Sequence, residues 1–277
     1  MILLVFFTSS KNVKTATKDS MHSYIAIQNT YEVFEMALFI NNTLHDQVSE
    51  DKRHASKLFI PLLEQLLIRN NLTISDLSFC AVNCGPGPFS TLRSIIASVN
   101  GLHCATEIPL IGIDGLNATF LEFYDKSYEH TVVLLNAFND EVYYLIAHHD
   151  VYSINSDSSR ARPEPVEGPS ALFCNKFRMS AKDLIIATGY KKIDAFLEDL
   201  KKQIPHQKIN FFGNGVMLHQ EQIKSTLGEK AILNQDGKNM CSVEQIGKIG
   251  LEMFEKNNFT NNYLMPLHLK KHPVELL

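Results

Sequence analysis

A glycine- and proline-rich loop between an apolar run and an amphipathic segment constrains the fold of this chain more than any other feature. The loop reads CGPGPFSTLR from Cys84 to Arg93, and the apolar run 77–82 precedes it. Ser90 is a residue type that caps helices. The apolar residues after it recur with the helical period: Leu92, Ile95, Ile96, Val99 and Leu102. The segment therefore predicts a buried strand, a tight turn and a helix, a common unit of α/β proteins.

The rest of the chain extends this α/β pattern. Apolar runs predict strands at 24–27, 34–40, 110–113, 132–135, 142–146 and 209–212, and the turn signal Asn41-Asn42 predicts a hairpin that continues into 43–48. Helical periodicity predicts helices over 55–67 and 242–254, with Pro61 expected to kink the first or mark a late start. The first half reads β-β-β-α-β-α-β, and the second β-rich opening predicts a duplicated α/β architecture.

Composition excludes several classes of protein. The chain has 277 residues, 45% of them apolar, which suffices for one large domain or two lobes with their own cores. It contains 26 Lys+Arg and 30 Asp+Glu. It therefore lacks the excess of basic residues that is typical of proteins that bind nucleic acid without a partner. The five scattered cysteines predict free thiols in the cytoplasm rather than a disulfide framework. No run reaches the roughly 18 apolar residues that a membrane span requires, so we expect no membrane contact.

The predicted domain plan has four parts. Residues 1–21 are expected to be an N-terminal extension, because their apolar start is short and lacks the features of a signal peptide, and Met21 is a candidate true start. Residues 22–128 and 129–277 are expected to form two lobes. The polar, aperiodic stretch 156–168 predicts a surface insertion near 155–180, and it resembles translated palindromic repeats found in some bacterial genes.

The chain resembles the TsaB family, also called YeaZ-like proteins. The Cys84–Arg93 loop is similar to the family motif GPGSFTGLR, with Pro88, Ser90 and Thr91 as departures. Residues 24–30, 53–67 and 136–143 are similar to further family segments, and the resemblance covers 22–150 well and 205–272 thinly. It implies the actin-like ATPase superfamily (ASKHA) fold with two RNase H-like lobes. It also implies a non-catalytic subunit in the synthesis of threonylcarbamoyladenosine in tRNA.

The departures from the superfamily pattern indicate that the chain is not an enzyme. Gln28 stands where relatives carry an Asp for metal and phosphate chemistry, and a neutral amide lacks the charge that Mg²⁺ coordination draws on. Asn136 replaces another usual Asp. The catalytic relative TsaD binds a metal through HxxxH after the strand that matches 110–113, and the equivalent positions here are Gly115 and Thr119. We expect no catalytic residue, no cofactor and no metal site. A TsaD-like transferase or another phosphotransferase of the superfamily stays as the alternative.

Other histidines are interpreted as structural or solvated. His148-His149 ends a predicted strand without an acidic or Cys companion at ligand spacing. The HxxxH pattern from His268 to His272 lies near the C-terminus and is interpreted as a solvated tail.

Two predicted helices carry the expected working surface, and the first of them has more apolar residues than one face needs, with Ile60 and Ile68 left over. In TsaB-like proteins this pair docks on TsaD, so the resemblance implies a heterodimer with a TsaD-like catalytic subunit. It also implies a TsaE-like ATPase in the wider complex and contact with tRNA only through that complex. A homodimer of the chain alone and a degraded copy without a partner stay open. The predicted interface residues are Ala55, Phe59, Leu62, Leu63, Ala97, Gly101 and Ala105.

The last three of these form a stripe of small residues at i, i+4 and i+8, which lets another helix approach closely. The alternative is that the stripe only makes room for the chain's own first helix. The motif loop itself is represented by Gly85, Gly87, Ser90 and Arg93. A loop of this kind can hold an anion through backbone N–H groups, but Pro88 has no N–H, so a structural turn is the preferred interpretation.

Overall fold

The structure is a computed structural model that describes residues 21–125, 127–149, 183–234, 240–257, 259, 263–267 and 269. The predicted N-terminal extension, apart from Met21, and the core of the predicted insertion lie outside these residues. The lobe boundary predicted between 128 and 129 stays a prediction.

The first sheet has five strands: β1 (Tyr24–Asn29), β2 (Val33–Ile40), β3 (Thr43–Asp51), β4 (Cys80–Asn83) and β5 (Leu110–Ile113). Their order is β3-β2-β1-β4-β5, with β1–β3 an antiparallel meander and β4 and β5 parallel to β1. The predicted Asn41-Asn42 turn joins β2 to β3, and both residues have positive φ, 53° and 65°. Positive φ at both central residues is the geometry that matches the twist of a two-residue hairpin.

The second sheet repeats this plan. Its strands are β6 (His130–Asn136), β7 (Glu141–His149), β8 (Asp183–Lys192), β9 (Ile209–Phe212) and β10 (Ala231–Leu233). The order β10-β9-β6-β7-β8 again places an antiparallel meander beside two parallel strands. The shared topology confirms the predicted α/β class with two RNase H-like lobes.

Seven helices occur among the described residues: α1 (Ala55–Arg69), α2 (Phe89–Thr106), α3 (Gly115–Phe123), α4 (Ile193–Gln203), α5 (Asn214–Leu218), α6 (Gln220–Leu227) and α7 (Val243–Glu255). The first runs through Pro61. The second begins at Phe89 with Pro88 as its N-cap. This corrects the role predicted for Ser90, which lies inside the first turn because Phe89 already has helical geometry. None of the helices in the described ranges is long and apolar enough to cross a membrane.

Helices cover both faces of each sheet, and two of them exchange lobes. One face of the first sheet packs on α1 and α2, and one face of the second packs on α4 and α6. The other face of the first sheet is covered by α7, although α7 follows the second sheet in the chain. In return, α3 follows the first sheet and packs on β6 and β7. The two sheets are therefore tied together by reciprocal helix packing.

A stack of aromatic rings fixes α7 on the first sheet. Tyr24 lies between Phe39 and Phe79, with ring centroids 4.6 and 4.4 Å away. Phe79 stacks in turn on Phe254 of α7 at 4.6 Å. Stacked aromatic pairs contribute roughly 0.5–1.5 kcal/mol each beyond the area that they bury, so this column is a major contact between α7 and the sheet.

Candidate functional site

The position of the superfamily's first-strand acid is filled by a buried amide that is hydrogen-bonded at both its nitrogen and its oxygen. Gln28 is the next-to-last residue of β1 and is 1% exposed. Its Nε2 donates to the carbonyl oxygen of Cys241, and its Oε1 accepts from Asn83 Nδ2 at 3.3 Å. The Cys241 thiol also lies 3.4 Å from Oε1. Because buried polar groups are stable only when paired, this amide acts as a structural clamp between β1 and the segment before α7.

The two positions where a metal-binding relative carries histidines are tightly packed. A Cβ on Gly115 would lie 2.7 Å from Asn83 Oδ1, so any side chain there displaces a buried amide. Thr119 is fully buried, and its hydroxyl donates to the Gly115 carbonyl at 2.7 Å and accepts from the Cys241 N–H at 3.2 Å. The residues present do not fit the metal of the TsaD-like alternative.

Two titratable groups near this clamp were missed in the sequence. Asp114 caps α3 by accepting from the N–H groups of Leu116 and Asn117 at 2.8 and 3.3 Å. Burial raises its pKa to about 6, against the effect of these two N–H groups. Burial also raises the pKa of the Cys241 thiol to about 12. A thiol with such a pKa holds almost no thiolate at neutral pH and is a poor nucleophile.

The motif loop makes hydrogen bonds and close contacts within its own lobe. Gly85 has φ +101°, and a Cβ there would lie 2.7 Å from Leu92 Cδ2, so the turn requires glycine. Its N–H donates to Asn83 Oδ1 at 2.9 Å, and its carbonyl accepts from the Gly115 N–H at 2.7 Å. Gly87 is half-buried with open space around its Cα.

The remaining motif residues face solvent. Ser90 and Arg93 are exposed, and the Arg93 guanidinium lies over the Phe89 ring at 5.0 Å. The loop thus joins β4 to α2 and packs on the start of α3. This arrangement favours the structural turn over the anion site, which stays an untested alternative.

The predicted interface residues divide into two groups. Four of them are buried in the core of the first lobe: Ala55, Phe59, Leu62 and Leu63, each at most 9% exposed. This corrects their prediction as surface contacts, because the apolar face of α1 packs on its own sheet. Ala97, Gly101 and Ala105 are exposed on α2, and no heavy atom lies within 4 Å of a Cβ built on Gly101.

The exposed apolar surface of α1 is that of the two residues already left over in the sequence. Ile60 and Ile68 are 54% and 66% exposed. We define the α1–α2 surface as these two residues and the small stripe on the neighbouring helix: Ile60, Ile68, Ala97, Gly101 and Ala105. The open space above Gly101 also argues against the stripe serving only the chain's own first helix.

The turn between β6 and β7 holds the other departure from the superfamily pattern. Asn136 ends β6, and its carbonyl accepts from the Tyr31 hydroxyl of the first lobe. Its side-chain Oδ1 accepts from the Phe138 N–H at 2.7 Å, at the start of three residues with positive φ. The amide thus serves a tight turn that meets the first lobe.

Comparison with known proteins gives a consistent result. A family model described as TsaD, tRNA N6-adenosine threonylcarbamoyltransferase, matches residues 42–261. The tRNA threonylcarbamoyladenosine biosynthesis protein TsaB of Buchnera aphidicola from Schizaphis graminum is 21% identical over 173 residues, covering 61% of this chain and 80% of that protein. The protein of the same name from Escherichia coli is 26% identical over 92 residues, covering 33% of this chain and 40% of that protein.

Solved structures support the fold. YeaZ from Pseudomonas aeruginosa superposes with a TM-score of 0.61 at 16% identity, covering 90% of this chain and all of that chain. Another solved structure from Pseudomonas aeruginosa, of a protein described as similar to peptidase YEAZ, superposes with a TM-score of 0.64 at the same identity and coverage. At this identity the likeness concerns the fold alone.

Proposed function

We propose, because this chain belongs to the tRNA N6-adenosine threonylcarbamoyltransferase (TsaD) family as a TsaB-like member, that it takes part in threonylcarbamoyladenosine synthesis as a non-catalytic subunit. Its partner is a TsaD-like catalytic subunit, and a TsaE-like ATPase belongs to the wider complex. The chain meets tRNA only through this complex, in the cytoplasm. The odd, scattered set of five cysteines in the sequence supports a reducing compartment.

The observation that carries the proposal is the closed clamp around Gln28. The amide is buried and satisfied, and Gly115 has no space for a side chain. A phosphotransferase or a metal-dependent transferase needs charge and open coordination positions here. The buried, protonated thiol of Cys241 does not supply a nucleophile in their place. These features support a partner role over the alternative of a TsaD-like transferase.

The α1–α2 surface supports the mode of pairing. Exposed isoleucines and a small stripe on adjacent helices allow a second helix pair to approach with close backbone contact. In the proposed complex this surface docks on the TsaD-like subunit. A partner helix that packs over Gly101 would bury the exposed apolar groups that the free chain shows.

Binding and chemistry are tested separately. The full-length chain is expected to co-purify with the TsaD-like protein of the same cell and to be required for product formation by it. Gly101→Phe should abolish co-purification while circular dichroism shows an unchanged fold. Ala195→Phe is the matched control, because Ala195 is exposed on α4 in the other lobe.

Two results would oppose the proposal. Unchanged binding by a folded Gly101→Phe variant would remove the α1–α2 surface as the interface. Threonylcarbamoyl transfer or Mg²⁺-ATP hydrolysis by the chain alone would favour the transferase alternative.

A further inference from the structure

A short segment that follows α7 lies against α2, next to the α1–α2 surface. It comprises residues 263–267, and we call it the 263–267 strap. Asn100 of α2 holds it at both sides of one residue: Asn100 Nδ2 donates to the Leu264 carbonyl oxygen at 2.9 Å, and Asn100 Oδ1 accepts from the Leu264 N–H at 2.8 Å. The Leu264 side chain is 8% exposed and belongs to the core of the first lobe. A third hydrogen bond, from the Leu267 N–H to the Cys84 carbonyl oxygen at 2.8 Å, ties the strap to the motif loop.

The strap leaves two large side chains exposed, one before and one after Leu264. Tyr263 is 62% exposed and Met265 is 57% exposed. The Tyr263 ring meets the His103 ring of α2 edge to face, with centroids 5.9 Å apart and an interplanar angle of 90°. Tyr and Met are both enriched in protein–protein interfaces. Because the hydrogen bonds of the strap already fix its backbone, a partner does not have to order that backbone on binding.

The strap and α1 lie on opposite sides of α2. All three cover the same face of the first sheet, because residues of each belong to one core cluster. In the strand order β3-β2-β1-β4-β5, α1 packs on β2 and β3, and α2 packs on β1. Leu264 of the strap lies over β5, where its Cδ2 would be 3.0 Å from a Cβ on Gly112. Asn100 is three positions from Ala97 in α2, so the strap borders the small stripe.

Between α1 and the strap the exposed stripe of α2 is made of small residues, so a shallow groove runs along α2. Three strand spacings of about 4.8 Å separate β2 from β5, which is roughly 14 Å. A helix with its side chains is about 10–12 Å wide. We propose that this groove receives one helix of the TsaD-like subunit and that Tyr263 and Met265 contact that subunit directly. The inference rests on the proposed function and adds a second wall to the surface that was assigned there.

Two observations support a helix of this partner as the occupant. The floor of the groove is small at every fourth residue, which is the spacing at which one helix presents a single face to another. The family model that matches residues 42–261 is described as TsaD, the family of the proposed partner itself. The partner is therefore expected to carry an equivalent pair of helices, and two equivalent surfaces can face each other about a pseudo-two-fold axis. A second copy of this chain is the competing occupant.

The first measurement compares two methionines of nearly equal exposure. Met265 of the strap is 57% exposed, and Met217 of α5 in the second lobe is 56% exposed. Hydrogen peroxide converts exposed methionine to its sulfoxide, and mass spectrometry follows the rate at each position in the full-length chain. We expect the TsaD-like subunit to slow oxidation of Met265 at least about fivefold and to leave the rate at Met217 within about twofold.

The second measurement is the Kd for the TsaD-like subunit, obtained by titration calorimetry with matched double variants. Tyr263→Ala with Met265→Ala truncates the exposed side chains of the strap, and Met217→Ala with Leu218→Ala truncates a similarly exposed pair on α5. The Kd should rise at least about tenfold for the strap variant and stay within about twofold for the α5 variant. Both variants should keep the parental circular dichroism, because all four side chains are exposed. Protection of Met265 in the parent chain decides the question if the strap variant does not fold.

The outcomes separate this inference from the proposed function. A parent chain that does not bind the TsaD-like subunit contradicts the proposed function, and the inference falls with it. A parent chain that binds without protection of Met265, or a folded strap variant with the parental Kd, overturns the inference alone. An equal loss of affinity in the α5 variant also overturns it, because the effect would then not be specific to the strap. Protection of Met265 in the concentrated chain alone would give the groove to a second copy and overturn the assigned partner.

Discussion

Gly101→Ala is expected to change the stability of the free chain and its affinity for a partner in opposite directions. Gly101 lies inside α2, where glycine is less stable than alanine by about 0.5–1 kcal/mol. No heavy atom lies within 4 Å of the new methyl group, so no clash offsets this gain. The free energy of unfolding should rise by about 0.5–1 kcal/mol, equivalent to about 1–4 °C in Tm.

The same methyl group stands on the α1–α2 surface. If a partner helix packs there at the lower end of the usual interaxial distances, the added volume costs about 1–3 kcal/mol. Kd for the TsaD-like subunit should then rise by about fivefold or more.

Two assays separate these effects: urea unfolding followed by circular dichroism, and titration calorimetry with the partner. A lower free energy of unfolding for Gly101→Ala would contradict the claim that the space above Gly101 is open. A more stable variant with unchanged affinity would refute the close helix approach, and Gly101 would then be only a weak point of the helix.

Three further substitutions test buried contacts of the first lobe. Gln28→Glu removes the donor to the Cys241 carbonyl and buries a charge, so stability should fall by about 3 kcal/mol at pH 7 and by less at pH 4; equal losses at both pH values would contradict the buried-charge argument. The pKa of Asp114 is raised to about 6, above its unfolded value near 3.9, so the folded state binds the extra proton and stability from this group falls as pH rises from about 4 to about 6; Asp114→Asn should remove that slope, and a variant with the parent's full pH profile would argue against it. Gly112→Ala places a Cβ 2.9 Å from Cys84 Sγ and should lower the urea midpoint by an amount equivalent to about 1–3 kcal/mol, whereas a parental midpoint would show that the core yields there.

Elements with a clear periodicity could be predicted from the sequence. The runs at 110–113 and 209–212 coincide with β5 and β9, and the helical period from Ala55 continues to Arg69 as α1. The predicted strand at 77–82 starts later, at Cys80, and a short 3₁₀ turn at Ile74–Asp76 lies before it. The helix α3 was missed because its first six residues are all buried, so it has no polar face to reveal a period.

The interface prediction shows what periodicity can and cannot decide. A 3.6-residue period identifies which face of a helix is apolar, and in α1 that face packs on the helix's own sheet. Residues available to a partner lie on the other face, where Ile60 and Ile68 break the polar pattern. Contacts made by strand register, such as the pair His130 and His148, have no signature in the spacing of the residues.

The reciprocal placement of α3 and α7 makes the order of synthesis matter. The first sheet is complete once Ile113 has been made, but the helix that covers its Tyr24 and Phe79 face begins only at Val243, 130 positions later (243 − 113). At bacterial elongation rates of about 5–20 residues per second, this face stays uncovered for roughly 6–26 s on the ribosome. A stacked aromatic surface exposed for that time is a target for chaperones and for aggregation. A message truncated anywhere before α7 therefore yields a first lobe that lacks one of its two covering layers.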